Sequence, residues 1–270
     1  MTEILVLEGG FNEEHKVSLT TAKEVKKVFK KNKINFRSLI VHPQTFENVI
    51  DKYSNKLICF NALHGTFGED GKIQKILKKK KFKFTHSGIY ASKNCFNKIN
   101  SKNLLTKYKV PTPIFSEITP DFLNESNLNK YKKKLDKFII KPNESGSSFG
   151  VRIIKTKNDF HNLIKNLKNY KKELKYHNSL IIEKYIDGKE LTVSVLEIYN
   201  KLQSLEVTEI LSKNKFFDYK AKYSKGYAKH ILPANIPLNI YKKCLSFALR
   251  AHKILKCNAI SRSDFIYEKK

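Results

Sequence analysis

The chain has 270 residues, 40% of them hydrophobic and 11% aromatic, enough for a packed core and too much for an intrinsically disordered protein. No apolar stretch approaches the ~20 residues of a membrane span, and Met1 to Glu8 lacks the basic start and long apolar centre of a signal peptide, so a cytoplasmic protein without a membrane partner is expected. The net charge of +28, from 53 Lys+Arg against 25 Asp+Glu, invites nucleic-acid binding. The excess is nearly all lysine, however: Arg37, Arg152, Arg250 and Arg262 are the only arginines, and the runs Lys78 to Lys81 and Lys132 to Lys134 read as solvated helix ends.

In chain order, Ile4 to Leu7 reads as a buried strand ending in Gly9-Gly10. Leu19, Ala22, Val25, Val28 and Phe29 mark one face of a helix from Val17 to about Lys31. Strands follow at Phe36 to Val41 and Leu57 to Leu63, a helix through Ile73, Ile76 and Leu77, and a strand at Phe82 to Thr85. This βα alternation favours a parallel sheet that presents ligand groups at its strand C-terminal ends.

A single helix is expected from about Ala91 to Lys107, stopped by the linker Val110-Pro111-Thr112-Pro113. Residues 114 to about 180 read as a smaller α+β unit with an amphipathic helix through Phe160, Leu163, Ile164 and Leu167. Strands are expected at Leu180 to Glu183, Leu191 to Ile198 and Leu202 to Ile210, then a helix over about Ile240 to Leu255 and a last strand from Ala259 to Tyr267. Cys59, Cys95, Cys244 and Cys257 have no metal-ligand spacing and read as reduced thiols in or near the core.

Four polar clusters fall at strand ends or loops. They are Gly9-Gly10-Phe11-Asn12-Glu13-Glu14-His15-Lys16-Val17-Ser18-Leu19, Ala62-Leu63-His64-Gly65-Thr66-Phe67-Gly68-Glu69-Asp70-Gly71, Lys141-Pro142-Asn143-Glu144-Ser145-Gly146-Ser147-Ser148-Phe149-Gly150, and Phe217-Asp218-Tyr219-Lys220-Ala221-Lys222-Tyr223. The third lies between two apolar runs, with a lysine at the end of the first. Its glycines and serines free backbone N–H groups and hydroxyls to face an anion, as in a flap over nucleotide phosphates. P-loop, dinucleotide-binding and nucleophile-elbow patterns are all missing.

Together with the closing Arg262-Ser263-Asp264, these clusters resemble the D-alanine–D-alanine ligases of the ATP-grasp superfamily from residue 4 to residue 267. The resemblance implies an α/β (α+β) ATP-grasp fold with an N-terminal Rossmann-like (pre-ATP-grasp) parallel-sheet domain over 1–95, a central lid subdomain over 96–180 and a C-terminal subdomain over 181–270. It implies ATP-dependent joining of two D-alanines through an acyl-phosphate for peptidoglycan synthesis, with Mg²⁺ or Mn²⁺, in a homodimer formed largely through the N-terminal region.

Residue by residue, Lys98, Lys141 and Lys222 match the family's phosphate-contacting lysines. Gly146, Ser147 and Ser148 belong to the covering loop. Glu183, Lys184, Tyr185 and Ile186 match the adenine hinge, where main-chain groups read the base, and Glu190 the ribose acceptor. Glu14 matches the carboxylate for the first D-alanine's ammonium, and Ser147 and Tyr223 its loop-closing partners. His64, with Glu69 behind it, matches the histidine near the reacting carboxyl, Arg262 the arginine on the tetrahedral oxygen, and Asp264 one metal ligand.

Asn97 stands where aspartate is usual and Ser261 where glycine is usual. The chain ends at Glu268-Lys269-Lys270, before the family's E-x-N-x-x-P-G segment with two further metal ligands. A fragment or interrupted gene is therefore expected; the alternatives are an inactive remnant and a basic nucleotide- or nucleic-acid-binding protein.

Overall fold

A computed structural model describes residues 3–199, 201–212 and 228–268. The chain divides into two compact units, one of residues 1–96 and 255–260, the other of residues 97–254 and 261–270.

In the first unit, β1 (Ile4–Gly9) lies between β2 (Phe36–Val41) and β3 (Ile58–Asn61), and β4 (Lys83–Phe84) closes the far edge, all parallel. Side chains alternate across such a sheet. Leu5 and Leu7 join a core with Phe46, Ile73 and Leu77 on one face, while Val6 meets Ala22 and Phe29 on the other. Those partners come from α1 (His15–Lys31), α2 (Phe46–Val49) and α3 (Lys72–Lys79). Burying both faces sends the β1 and β3 C-terminal ends into loops that need not pack, and there the polar clusters sit. On α1, Val28 is exposed: its side chain lies off the stripe of Val17, Ser18, Ala22 and Phe29 that the helix buries.

The expected single helix is two, α4 (Ile89–Phe96) and α5 (Lys98–Lys107). Asn97 has extended dihedrals, and its side chain accepts the N–H of Asn100. It therefore acts as an N-cap, the task an aspartate there would also perform.

The second unit holds two antiparallel sheets. The first has the order β5 (Phe115–Ile118), β8 (Leu180–Lys184), β6 (Phe138–Pro142), β7 (Arg152–Ile154). One of its faces packs Phe138, Ile140, Leu180 and Ile182 against Leu128, Leu163 and Tyr170 of α6 (Glu125–Leu135), α7 (Lys157–Lys165) and α8 (Leu167–Glu173). α7 and α8 replace one expected helix, which stops at Asn166, where the side chain folds back onto the carbonyl of Asn162.

In the other sheet, β9 (Lys189–Ile198) pairs with β10 (Lys201–Ser204), β11 (Thr208–Ser212) and β13 (Ile260–Tyr267), and β12 (Ala228–Ile231) extends it beyond β11. The expected strand from Leu202 to Ile210 is interrupted. Ser204 faces Val195 but Thr208 faces Thr192, so four residues advance against three. That is a bulge, held where the Val207 N–H reaches the Tyr241 hydroxyl at 3.0 Å. The core here is Leu191, Val193 and Val195 against Cys244 and Ala248 of α9 (Leu238–Ile254).

Cys59 and Cys244 are buried as expected, but Cys95 is exposed and Cys257 half-buried, both in the first unit with sulfurs 3.9 Å apart. Their segments meet at the surface rather than in a core. Among the described residues, no helix is long and apolar enough to cross a membrane.

Gly188, in the turn between β8 and β9, admits the backbone of Tyr267 so closely that any Cβ there would collide with the Tyr267 carbonyl. The β13 strand carries Arg262 and Asp264, so its seat depends on that contact. Gly188→Ala is expected to destabilise the protein by about 1–3 kcal/mol, read as a lower urea midpoint in equilibrium unfolding.

Candidate functional site

The residues singled out in the sequence assemble in each unit separately. In the first, Glu14 precedes α1 and is buried, with 4% of its surface accessible. Asn12 sets its position: the Asn12 Oδ1 accepts the Glu14 N–H at 2.9 Å, and its Nδ2 donates to the carbonyls of His64 and Thr66 at 2.9 and 3.1 Å. One amide thus ties the loop after β1 to the loop after β3. Gly65 completes the approach, with φ +71°, and a Cβ there would stand 2.5 Å from the Glu14 Oε2. Only glycine takes that dihedral freely and leaves that space.

His64 meets the Thr21 hydroxyl through Nε2 at 2.9 Å, and its Nδ1 lies 3.8 Å from Glu69. Burial holds the His64 imidazole below its ordinary value, against an opposing pull from Glu14, so it is neutral at pH 7. Glu69 accepts the Gly65 N–H at 2.9 Å. Burial pushes the Glu69 carboxyl up to about 7, although 45% of its side chain remains accessible.

In the second unit the pairing register builds the site. Lys141 faces Ile181 and Ile139 faces Glu183, so Lys141 and Glu183 are diagonal neighbours on the sheet face opposite the α6–α8 core. They form an ion pair. Burial works to raise the Glu183 carboxyl, but Lys141 and Lys102 outweigh it and hold the group below its ordinary value.

Lys98 opens α5 and donates to the carbonyls of Asn143 and Ser145 at 3.1 and 2.8 Å. Asn143 is buried and accepts the N–H of Ile99 through its side chain at 3.0 Å. The small-residue loop is therefore rooted on the first turn of α5, with both lysines at its base. Beyond the root, Ser147 and Ser148 have φ of +46° and +62°, a conformation that side chains disfavour, and the Tyr170 hydroxyl holds the Gly150 carbonyl at 2.7 Å.

At the hinge, the N–H groups of Lys184 and Tyr185 go to the carbonyls of Ile114 and Lys137. Glu190 and Thr192 share a face of β9, opposite the Leu191 and Val193 core. On β13 the R-x-D spacing puts Arg262 and Asp264 together on the exposed face. Asp264 accepts from the Thr192 hydroxyl at 2.8 Å and lies 3.3 Å from the Arg262 Nε. Ser261 meets Nδ1 of His252 at 2.8 Å. Lys222 and Tyr223, with the rest of their cluster, lie outside the described residues.

Among the described residues, no three His, Cys, Asp or Glu side chains converge as a metal site. Asp264, 65% accessible and paired with Arg262, cannot hold a divalent cation alone. It suits only a partial shell in which substrate phosphates supply the remaining oxygens.

Three positioning side chains escaped the sequence reading. Asn12 and Asn143 are short amides inside clusters read for their charged members. Lys102 lay among many lysines, although its i,i+4 spacing from Lys98 places both on one face of α5.

A loop rooted on lysines over an antiparallel sheet, in a chain whose parallel-sheet unit buries a carboxylate at its strand ends, is consistent with the ATP-grasp fold. A protein-family model described as D-ala D-ala ligase C-terminus matches residues 104–270. The chain is 38% identical over 268 residues to the D-alanine–D-alanine ligase of Wolbachia pipientis wMel, covering 99% of this chain and 80% of that protein. It is 39% identical over 267 residues to the ligase of Pelagibacter ubique, covering 97% and 83%. A crystal structure of the Bacillus anthracis ligase superimposes with a TM-score of 0.78 at 27% identity, covering 100% of this chain and 84% of that one. The chain belongs to the D-alanine–D-alanine ligase family.

The Glu69 carboxyl gives a pH signature. Its ordinary value is 4.5 and its folded value about 7, so between these the folded state holds a proton that the unfolded state has released. Glu69 therefore contributes no penalty below pH 4.5, and its penalty grows until pH passes 7. Replacing it by glutamine removes the titration. Thermal midpoints of wild type and Glu69→Gln are expected to shift in favour of the variant between pH 5 and pH 8; a constant difference would contradict the assignment.

Proposed function

We propose that the protein joins two D-alanine molecules at the expense of ATP, for peptidoglycan synthesis. The observation that carries this reading is the rooting of the small-residue loop on Lys98, beside the Lys141–Glu183 pair. Two cations at one loop base suit the phosphates of a nucleotide, and the loop's backbone suits a cover over them. Lys222 is the proposed third phosphate contact. Because two hinge N–H groups are engaged within their own unit, the adenine edge falls to the Ile186 N–H and hinge carbonyls, with Glu190 as ribose acceptor.

For the amino acid, Glu14 is the proposed ammonium acceptor, with Ser147 and Tyr223 closing the loop over it. A buried carboxylate accepts a charge-assisted hydrogen bond strongly. The first D-alanine's carboxylate attacks the γ-phosphorus, releasing ADP and leaving an acyl-phosphate. The second D-alanine's amine then attacks the acyl carbon, loses a proton, and phosphate departs as the peptide bond forms. Neutral His64 donates a hydrogen bond near the reacting carboxyl, and Arg262 stabilises the oxygen that becomes negative in the tetrahedral intermediate. Asp264 is the proposed protein ligand for the Mg²⁺ or Mn²⁺ that ATP brings, which would neutralise phosphate charge; Mg²⁺ suits such a carboxylate-and-phosphate shell.

We also propose the three-part division 1–95, 96–180 and 181–270 and a homodimer through the N-terminal region, supported by the family resemblance and by the exposure of Phe11, Val28 and Ile40.

The test is phosphate release from ATP with and without D-alanine. Release that depends on D-alanine, with D-alanyl-D-alanine as product, is expected; release indifferent to D-alanine would refute the reading. Glu14→Gln is expected to raise KM for D-alanine about tenfold or more, the effect of losing one charged acceptor, with KM for ATP little changed.

A further inference from the structure

Lys102 lies on α5 one turn beyond Lys98. Only 12% of its side chain is accessible, and its Nζ sits 2.8 Å from the Glu183 Oε2. It also stands 5.2 Å above the ring of Phe115, which faces Glu183 across the β5–β8 pair. The other oxygen of the same carboxylate, Oε1, is taken by Lys141. Glu183 itself is 6% accessible. One buried carboxylate is thus shared by two lysines arriving from different elements, α5 and β6.

The charges decide what this sharing does. Lys141, Lys102 and Glu183 together carry +1 at the root of the phosphate loop. A carboxylate paired with Lys141 alone would cancel its charge, leaving a neutral pair with little pull on an anion. The second lysine offsets the carboxylate and leaves Lys141 a surplus. Burial holds the Lys102 ammonium below its ordinary value, against an opposing pull from Glu183; a lysine is kept at such a place when its charge has a partner.

We propose that Lys102 is a positioning residue for nucleotide binding: it neutralises Glu183 so that Lys141 keeps its charge for the ATP phosphates. The proposal rests on the reading of Lys141 as a phosphate ligand.

The test is the affinity of the purified protein for ADP and for adenosine, by calorimetric titration and by competition, alongside KM for ATP and for D-alanine. Lys102→Met keeps the apolar stem against Phe115 and removes the charge. It is expected to weaken ADP binding about tenfold, the scale of one partly buried charge, and to raise KM for ATP similarly. Adenosine, which has no phosphates, is expected to bind as before, and KM for D-alanine to stay put. Lys102→Arg is expected to restore ADP binding.

Equal loss of ADP and adenosine affinity would mean that the hinge has merely been displaced, and would overturn the proposal. Failure of Lys102→Arg to recover ADP binding would overturn it as well. Lys141→Met separates the two levels of the argument. If it leaves ADP affinity untouched, the phosphate role of Lys141 fails. If it weakens ADP binding while Lys102→Met does not, only the role of Lys102 fails.

Discussion

The second unit depends on the antiparallel register of β6 on β8. Strand side chains alternate with a period of two, so a slip of one residue would exchange the faces. As paired, Phe138, Ile140, Leu180 and Ile182 lie against the helices, and Lys141 and Glu183 are left diagonal to each other on the opposite face. The apolar core and the charged pair are one decision. The helices cannot take up the hydrophobic set without also presenting Lys141 at the base of the loop, and the loop itself begins where β6 ends.

The first unit solves a different problem, placing a buried carboxylate where the loops after two parallel strands meet. Glu14 is placed by the Asn12 amide and by a glycine that gives it room. Its neighbour His64 is kept neutral by burial. Glu8, equally buried one strand end away, has Lys26 at 2.7 Å and reads as structural.

Much of this was legible from residue pattern. The βα alternation of the first ninety or so residues, the strand-ends carrying polar clusters, and the R-x-D spacing of β13 all follow from periodicities of 3.6 and 2. The illegible parts share a cause. Asn97 splits a helix because its side chain captures a backbone N–H, which competes with helix continuation without changing the hydrophobic pattern. The bulge between β10 and β11 leaves apolar alternation nearly intact while shifting the register by one residue. Cys95 and Cys257 are 162 residues apart in sequence, and nothing local marks their meeting.

The sequence by itself determined the family, the α/β character of the chain and the chemical types at the site, because these reside in local periodicity and in residue combinations at specific spacings. Tertiary structure alone decided which charges oppose one another. Lys102 is one lysine among many until α5 lies beside β8, and Asn12 and Asn143 are ordinary loop amides until two segments distant in sequence need the same hydrogen-bond partner. Electrostatic energy depends on distance and burial, and neither is written in the order of the residues.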